Sequence, residues 1–101
     1  MYFHCTREQQ DDAVLLTPFG DVDRDTAPQL REALGAAVSE ADHRVEVDLQ
    51  HVTFMDSSGI GALLYGHRLA AGAGVTLQVQ GATPAVRTVL EVTNVSRLLG
   101  A

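Results

Sequence analysis

The chain has 101 residues, a net charge of −6, a pI near 4.9 and 46% hydrophobic residues. That length suits one domain, residues 1–101, and the hydrophobic fraction argues for a packed core over global disorder. All seven basic residues are arginines and none cluster, so the chain is a poor binder of nucleic acid or anionic lipid, where affinity rests on neutralising phosphates.

No apolar run approaches the roughly 20 residues a membrane-spanning helix needs. Met1 to Gln10 is polar and lacks the basic-then-apolar build of a signal peptide. The single cysteine, Cys5, excludes an internal disulfide and reads as a small strand residue. These features point to the cytoplasm.

Tyr2 to Thr6 reads as an edge strand, Glu8 to Asp12 as a polar turn, and Ala13 to Phe19 as a second strand paired back as a hairpin. Pro18 cannot donate to a ladder, so it belongs near the strand's end or on an unpaired side. Gly20 to Asp25 reads as an acidic loop. Thr26 and Gln29 have the spacing of a capping box, and Pro28 fits the first turn of a helix. Leu30, Leu34, Val38 and Ala41 then give a helix from about Thr26 to Ala41, with Arg31, Glu32 and Glu40 facing water.

After the turn Asp42-His43-Arg44, Val45, Val47 and Leu49 alternate with Glu46 and Asp48 as a third strand. A second helix is expected from about Ser58 to Ala71, with Ile60, Leu63, Leu64 and His67 on related faces. Gly61 and Gly66 each cost about 1 kcal/mol against alanine inside a helix, which suggests close approach of helix to sheet. Gly72 and Gly74 end it. Val75, Leu77 and Val79 form a fourth strand, and Thr83-Pro84 opens a third helix that carries Val86, Val89 and Leu90 and ends near Asn94.

The order strand, strand, helix, strand, helix, strand, helix predicts an α/β fold. Its sheet has about four strands, mostly parallel, with an N-terminal antiparallel hairpin and about three helices. Ligand-facing loops gather at the C-terminal ends of parallel strands, which brings the Asp21–Asp25 loop to the same end as the stretch Phe54-Met55-Asp56-Ser57-Ser58-Gly59-Ile60-Gly61.

That stretch is where chemistry is concentrated. Two serines and an acid stand where a strand hands over to a helix N-terminus, with its free N–H groups and positive dipole end. Ser57 or Ser58 can cap the helix, and either can carry a phosphate; local physics does not choose between these roles. A serine hydrolase is excluded, because the nucleophile elbow needs glycine two residues before the serine, and Met55 and Asp56 stand there. The last histidine, His67, lies ten residues down the same helix, about 15 Å away. A Walker loop is excluded by the lack of any lysine. His4, His43, His51 and His67 are scattered, so no metal or other cofactor is expected. Two readings remain: serines that only cap the helix, which local sequence favours, and a serine phosphorylated by another protein, its added charge of about −1.5 to −2 acting on a partner's surface.

The chain resembles the STAS domains of anti-sigma factor antagonists. The matching residues are Gly20-Asp21-Val22-Asp23 with Thr26-Ala27, Val47-Asp48-Leu49, Phe54 to Gly61, and Thr83-Pro84-Ala85-Val86. The resemblance implies a STAS fold that is not an enzyme. It makes Ser57, the first serine after the aspartate, the phosphoacceptor, and places Asp23 on a partner-facing loop and Asp56 beside the acceptor. Asp21, Asp23, Asp25, Thr26, Asp56, Ser57, Ser58 and Gly59 are the expected partner-binding set. The implied partners are an anti-sigma factor serine/threonine kinase, which binds the unphosphorylated antagonist and so releases a sigma factor, and a serine phosphatase that resets it. Family members usually continue beyond the third helix, so this C-terminally short chain is expected to expose apolar surface there, with weak self-association. The alternative is a STAS interaction module without a phosphoswitch, such as an accessory subunit of a lipid transporter.

Overall fold

The computed structural model describes residues 2–100. Its elements are β1 (Phe3–Gln9), β2 (Ala13–Val22), α1 (Ala27–Glu40), β3 (Arg44–Asp48), β4 (Val52–Met55), α2 (Ser57–Ala73), β5 (Thr76–Gln80), α3 (Pro84–Val92) and α4 (Ser96–Leu99).

The sheet is organised on β2. One edge of β2 pairs antiparallel with β1, from Phe3↔Gly20 to Gln9↔Val14. The other edge is shared: β3 runs parallel to Ala13–Leu16, and β4 runs parallel to Gly20–Val22. β3 in turn pairs parallel with β5, giving the order β1-β2-β3-β5 with β4 beyond the end of β3. Among the described residues the fold is α/β and mostly parallel with an N-terminal hairpin, as expected, and the sheet has five strands where about four were expected.

The additional strand is β4. Its four residues bury Val52 and Met55 and expose Thr53 and Phe54, so it carries no period-two signal. A turn closed by Val52 N–H donating to Leu49 O at 3.1 Å separates it from β3. β2 also runs further than its apolar stretch suggested: Asp21 and Val22 are strand residues, and only Asp23 to Thr26 form the connection to α1.

Pro18 is accommodated by the shared edge. Gly20 N–H donates across that edge to His51 O at 3.0 Å, so the Pro18 nitrogen, two residues earlier, faces the same way. It falls in the gap between the last β3 pair, Leu16↔Val47, and the first β4 pair, Gly20↔Val52. No ladder bond is lost there.

The core lies between one face of the sheet and the helices. Val14, Leu16, Val22, Val45, Val47, Leu77 and Val79 meet Leu30, Leu34 and Val38 of α1, Ile60 and Leu63 of α2, and Val86 and Leu90 of α3, all buried. Gly66 has the packing role expected of it: a Cβ there would lie 3.1 Å from Leu34 Cδ1 and 3.3 Å from Leu77 Cδ1. Gly61 does not, since nothing lies within 4 Å of a Cβ added at it. α2 continues through Gly72 to Ala73, and Gly74, at φ 73°, is its left-handed C-cap.

α3 starts as anticipated, with the Thr83 hydroxyl accepting from Val86 N–H at 3.4 Å. It ends at Val92, and a fourth helix not expected from the sequence, α4, follows. One turn is too short to show a helical period, yet it buries Leu99 against the core, while Val92 and Leu98 are 79% and 53% exposed. The opposite face of the sheet, carrying Leu15, Thr17 and Phe19 of β2 and His4 of β1, stays half-buried.

Candidate functional site

The two ends of β2 and β4 build the site. Asp56 N–H donates to Val22 O at 3.2 Å, which holds the end of β4 beside the end of β2. Asp56 then turns the chain into α2. Its extended backbone, φ −110° and ψ −167°, aims the carboxylate back at the open helix start, and Oδ1 accepts from Ser58 N–H at 2.8 Å. Its carbonyl accepts from Gly59 N–H at 3.1 Å and Ile60 N–H at 3.2 Å. The cap expected from Ser57 or Ser58 is therefore supplied by Asp56, because the helix begins at Ser57 and both serines already lie inside its first turn. Ser57 is exposed and Ser58 half-buried.

Gly59 is buried. A Cβ there would lie 2.6 Å from Met55 Cγ and 2.9 Å from Val22 Cγ1, so its lack of a side chain lets the first turn of α2 press onto both strand ends.

The loop from β2 to α1 is organised by Asp23. Its Oδ1 accepts from Asp25 N–H at 2.9 Å and Thr26 N–H at 3.1 Å. The Thr26 hydroxyl donates to Asp21 O at 2.8 Å and accepts from Asp23 N–H at 3.0 Å. Thr26 is the N-cap residue by position but makes no side-chain cap bond, because its hydroxyl is committed to the loop; the capping box with Gln29 does not form. Thr26 is only 7% exposed. The Asp21 carboxylate accepts from the Thr53 hydroxyl, tying β2 to β4 from the side chains as well.

These connections bring the two sequence-distant stretches together. A groove is lined by Asp23, Arg24, Asp25, Asp56 and Ser58. Ser57 stands beside it on the same turn of α2, and Asp21 lies behind it against Thr53. Of the expected partner-binding set, Asp25 and Ser57 are exposed and Asp21, Asp23, Asp56 and Ser58 half-buried, whereas Thr26 and Gly59 are buried and shape the site from within. Two contributors were not anticipated. Among the described residues Arg24 is the one cation lining the groove, and its signal was its place in the acidic loop. Thr53 carried no local signal, since its partner Asp21 lies across the sheet.

Among the described residues, no group of three or more His, Cys, Asp or Glu side chains is arranged to hold a metal ion, and no helix is long and apolar enough to cross a membrane. The site's chemical resource is an exposed hydroxyl beside a carboxylate that already occupies the positive end of a helix.

A family model described as "Mlab, STAS domain" matches residues 5–100. The chain belongs to the STAS domain family. Solved structures agree with this. The anti-sigma factor antagonist SpoIIAA in its unphosphorylated form is 27% identical, with a TM-score of 0.74 over 93% of this chain and 84% of that one. The Bacillus cell fate determinant SpoIIAA in its phosphorylated form is 26% identical, with a TM-score of 0.66 over 93% and 86%. An anti-sigma factor antagonist from Mycobacterium paratuberculosis, at 24% identity, shares the fold with a TM-score of 0.82 over 97% and 83%. This STAS domain is thus similar along nearly its whole length to anti-sigma factor antagonists, one of them solved both with and without its phosphate.

Proposed function

We propose that this STAS domain is an anti-sigma factor antagonist switched by phosphorylation of Ser57. The observation that carries the reading is the position of Ser57: exposed, first in α2, and flanked by Asp56 and Ser58 of the groove that the Asp23–Asp25 loop completes. In this reading the domain is a substrate and not an enzyme. A partner kinase supplies ATP; the Ser57 hydroxyl attacks the γ-phosphorus, ADP leaves, and the hydroxyl proton passes to a base. The unphosphorylated domain binds that anti-sigma factor serine/threonine kinase in the cytoplasm and frees the sigma factor. The phosphorylated domain does not bind, until a serine phosphatase removes the group.

The electrostatics favour a switch read at the surface. The N–H groups of Ser58, Gly59 and Ile60 are already bonded to Asp56, so the helix start has little left with which to absorb a phosphate. A charge of about −1.5 to −2 would add to Asp23, Asp25 and Asp56, and a partner seated there meets it directly.

Incubation with cognate anti-sigma kinases and ATP, followed by mass spectrometry, tests the assignment: phosphate on Ser57 is expected, and phosphate elsewhere or nowhere refutes it. In binding assays Ser57→Ala retains the kinase and Ser57→Asp loses it; equal affinities refute the switch. One observation favours a second reading, an interaction module without a phosphoswitch such as an accessory subunit of a lipid transporter: the matching family model is described by the name Mlab and not by sigma regulation. Co-purification with a membrane transporter in place of a sigma regulator would establish it.

A further inference from the structure

Four rings stand in a row on the half-buried face of the sheet, opposite the core. The Tyr2 and His4 centroids are 5.1 Å apart, and His4 stacks on Phe19 at 4.6 Å with 4° between ring planes. Phe19 stacks on His51 at 4.6 Å and 13°. The cross-strand pair His4↔Phe19 sets the first stack. The Gly20 N–H bond to His51 O holds the second. Phe19 is thereby stacked between two imidazoles, and the row ends in two exposed rings, Tyr2 and His51.

Phe19 and His51 lie on the strand pair, β2 with β4, that ends at the candidate site. Phe19 is two residues before Asp21 on one strand, and Asp21 pairs with Phe54 on β4. Phe54 is a large apolar side chain left 49% exposed. From His51 to Ser57 is six steps along the chain, at most about 20 Å of extended backbone. A standard interface covers about 800 Å² per partner, a patch roughly 30 Å across, so one partner can span both. Among the described residues, the charge lining the groove is one-sided, with Asp23, Asp25 and Asp56 against Arg24, and Asp21 adds to it from β2.

We propose that His51 and Phe54 are the apolar anchors of the docking surface for the kinase, with Phe19 positioning His51 and the aspartates forming the acidic half. The inference rests on the antagonist reading and extends it. The anchors supply affinity, and the Ser57 end decides whether that affinity can be used. The partner surface that fits is an apolar patch flanked by arginine or lysine, whose cations meet the aspartates. Few interface residues carry most of the binding energy, and aromatic anchors beside a charged rim are the usual arrangement.

The test measures the affinity of the full chain for its anti-sigma kinase by calorimetry. It compares wild type, Ser57→Asp, the double variant His51→Ala/Phe54→Ala, and Val92→Ser as a control that removes exposed apolar surface elsewhere. Both anchors are exposed, so the double variant is expected to fold, which circular dichroism melting checks; Phe54→Ser alone serves if it does not. The expected result is a loss of tenfold or more for the double variant, loss of binding for Ser57→Asp, and wild-type affinity for Val92→Ser. Wild-type affinity in the double variant, with Ser57→Asp still impaired, overturns the docking surface and leaves the switch standing. No binding of wild type to any cognate anti-sigma kinase overturns both. A wild-type dimer that the double variant dissolves, with kinase affinity unchanged, makes the face a contact between copies and overturns the proposal.

Discussion

Asp56 Oδ1 accepts the backbone N–H of Ser58 at 2.8 Å, so the acid beside the proposed phosphoacceptor, Ser57, caps the helix that presents it. Stability and the proposed switch therefore fall on adjacent residues and can be separated by substitution. Asp56→Ala should cost about 0.5–2 kcal/mol, the usual value of an N-cap. For a domain of this size each kcal/mol lowers Tm by about 4–8 °C. Asp56→Asn should retain most of the cap, and Ser58→Ala should leave the melting temperature nearly unchanged. An equal loss for Ser58→Ala in thermal melts would contradict the assignment of the cap.

Ser57→Asp should leave stability within about 0.5 kcal/mol of wild type, as most exposed substitutions do. The helix dipole favours the new charge, but Asp56 already holds the first amides and repels it. Urea denaturation measures this. A loss of several kcal/mol would mean that binding defects of this variant report unfolding and not a switch.

Gly59 and Gly61 sit two residues apart on α2 and should respond with opposite sign. Gly59→Ala forces a methyl group against Met55 and Val22, and should cost about 1–3 kcal/mol. Gly61→Ala meets nothing within 4 Å and should gain up to about 1 kcal/mol of helix propensity. Chemical denaturation of the two single variants decides it, and a stable Gly59→Ala protein would show that the first turn is not pressed onto the strands.

Burial pushes the Cys5 thiol up to about 11. The folded chain therefore holds that proton more tightly than the unfolded chain, where a thiol titrates near 8.5. The contribution is fully present below about pH 8.5 and is lost as pH rises through 11. Wild type should lose stability relative to Cys5→Ala across that window, as measured by urea midpoints at stepped pH. At pH 8 Cys5 should also react more slowly with an alkylating reagent than the unfolded chain does. Parallel pH curves for the two proteins would refute the effect.

Some of this molecule is written in short stretches of chain. The Leu30, Leu34 and Val38 stripe determined α1, and Thr83-Pro84 determined the start of α3, because a helical period and a cap each act over a few residues. The helix start at Asp56 to Gly59 was legible for the same reason, although the strand leading into it is β4 and not the Val45–Leu49 run. β4 and α4 were not, since four residues of each are too few to display a period, and their existence depends on what they pack against. The cap at α2 could not be assigned locally: aspartate and serine are both good caps, and only the extended backbone at Asp56 selects between them. Thr26 looked like a cap and became a loop tie for the same kind of reason, because Asp21 and Asp23 offered its hydroxyl better partners. The order of elements already put the acidic loop at the same end as Asp56, but the lining of the groove joining Arg24 to Asp56, and the whole stack joining His4, Phe19 and His51, belong to the tertiary structure. Those residues are far apart in the chain, and it is the register of β2 against β1 and β4 that places them side by side, a long-range quantity that no local pattern of residues encodes.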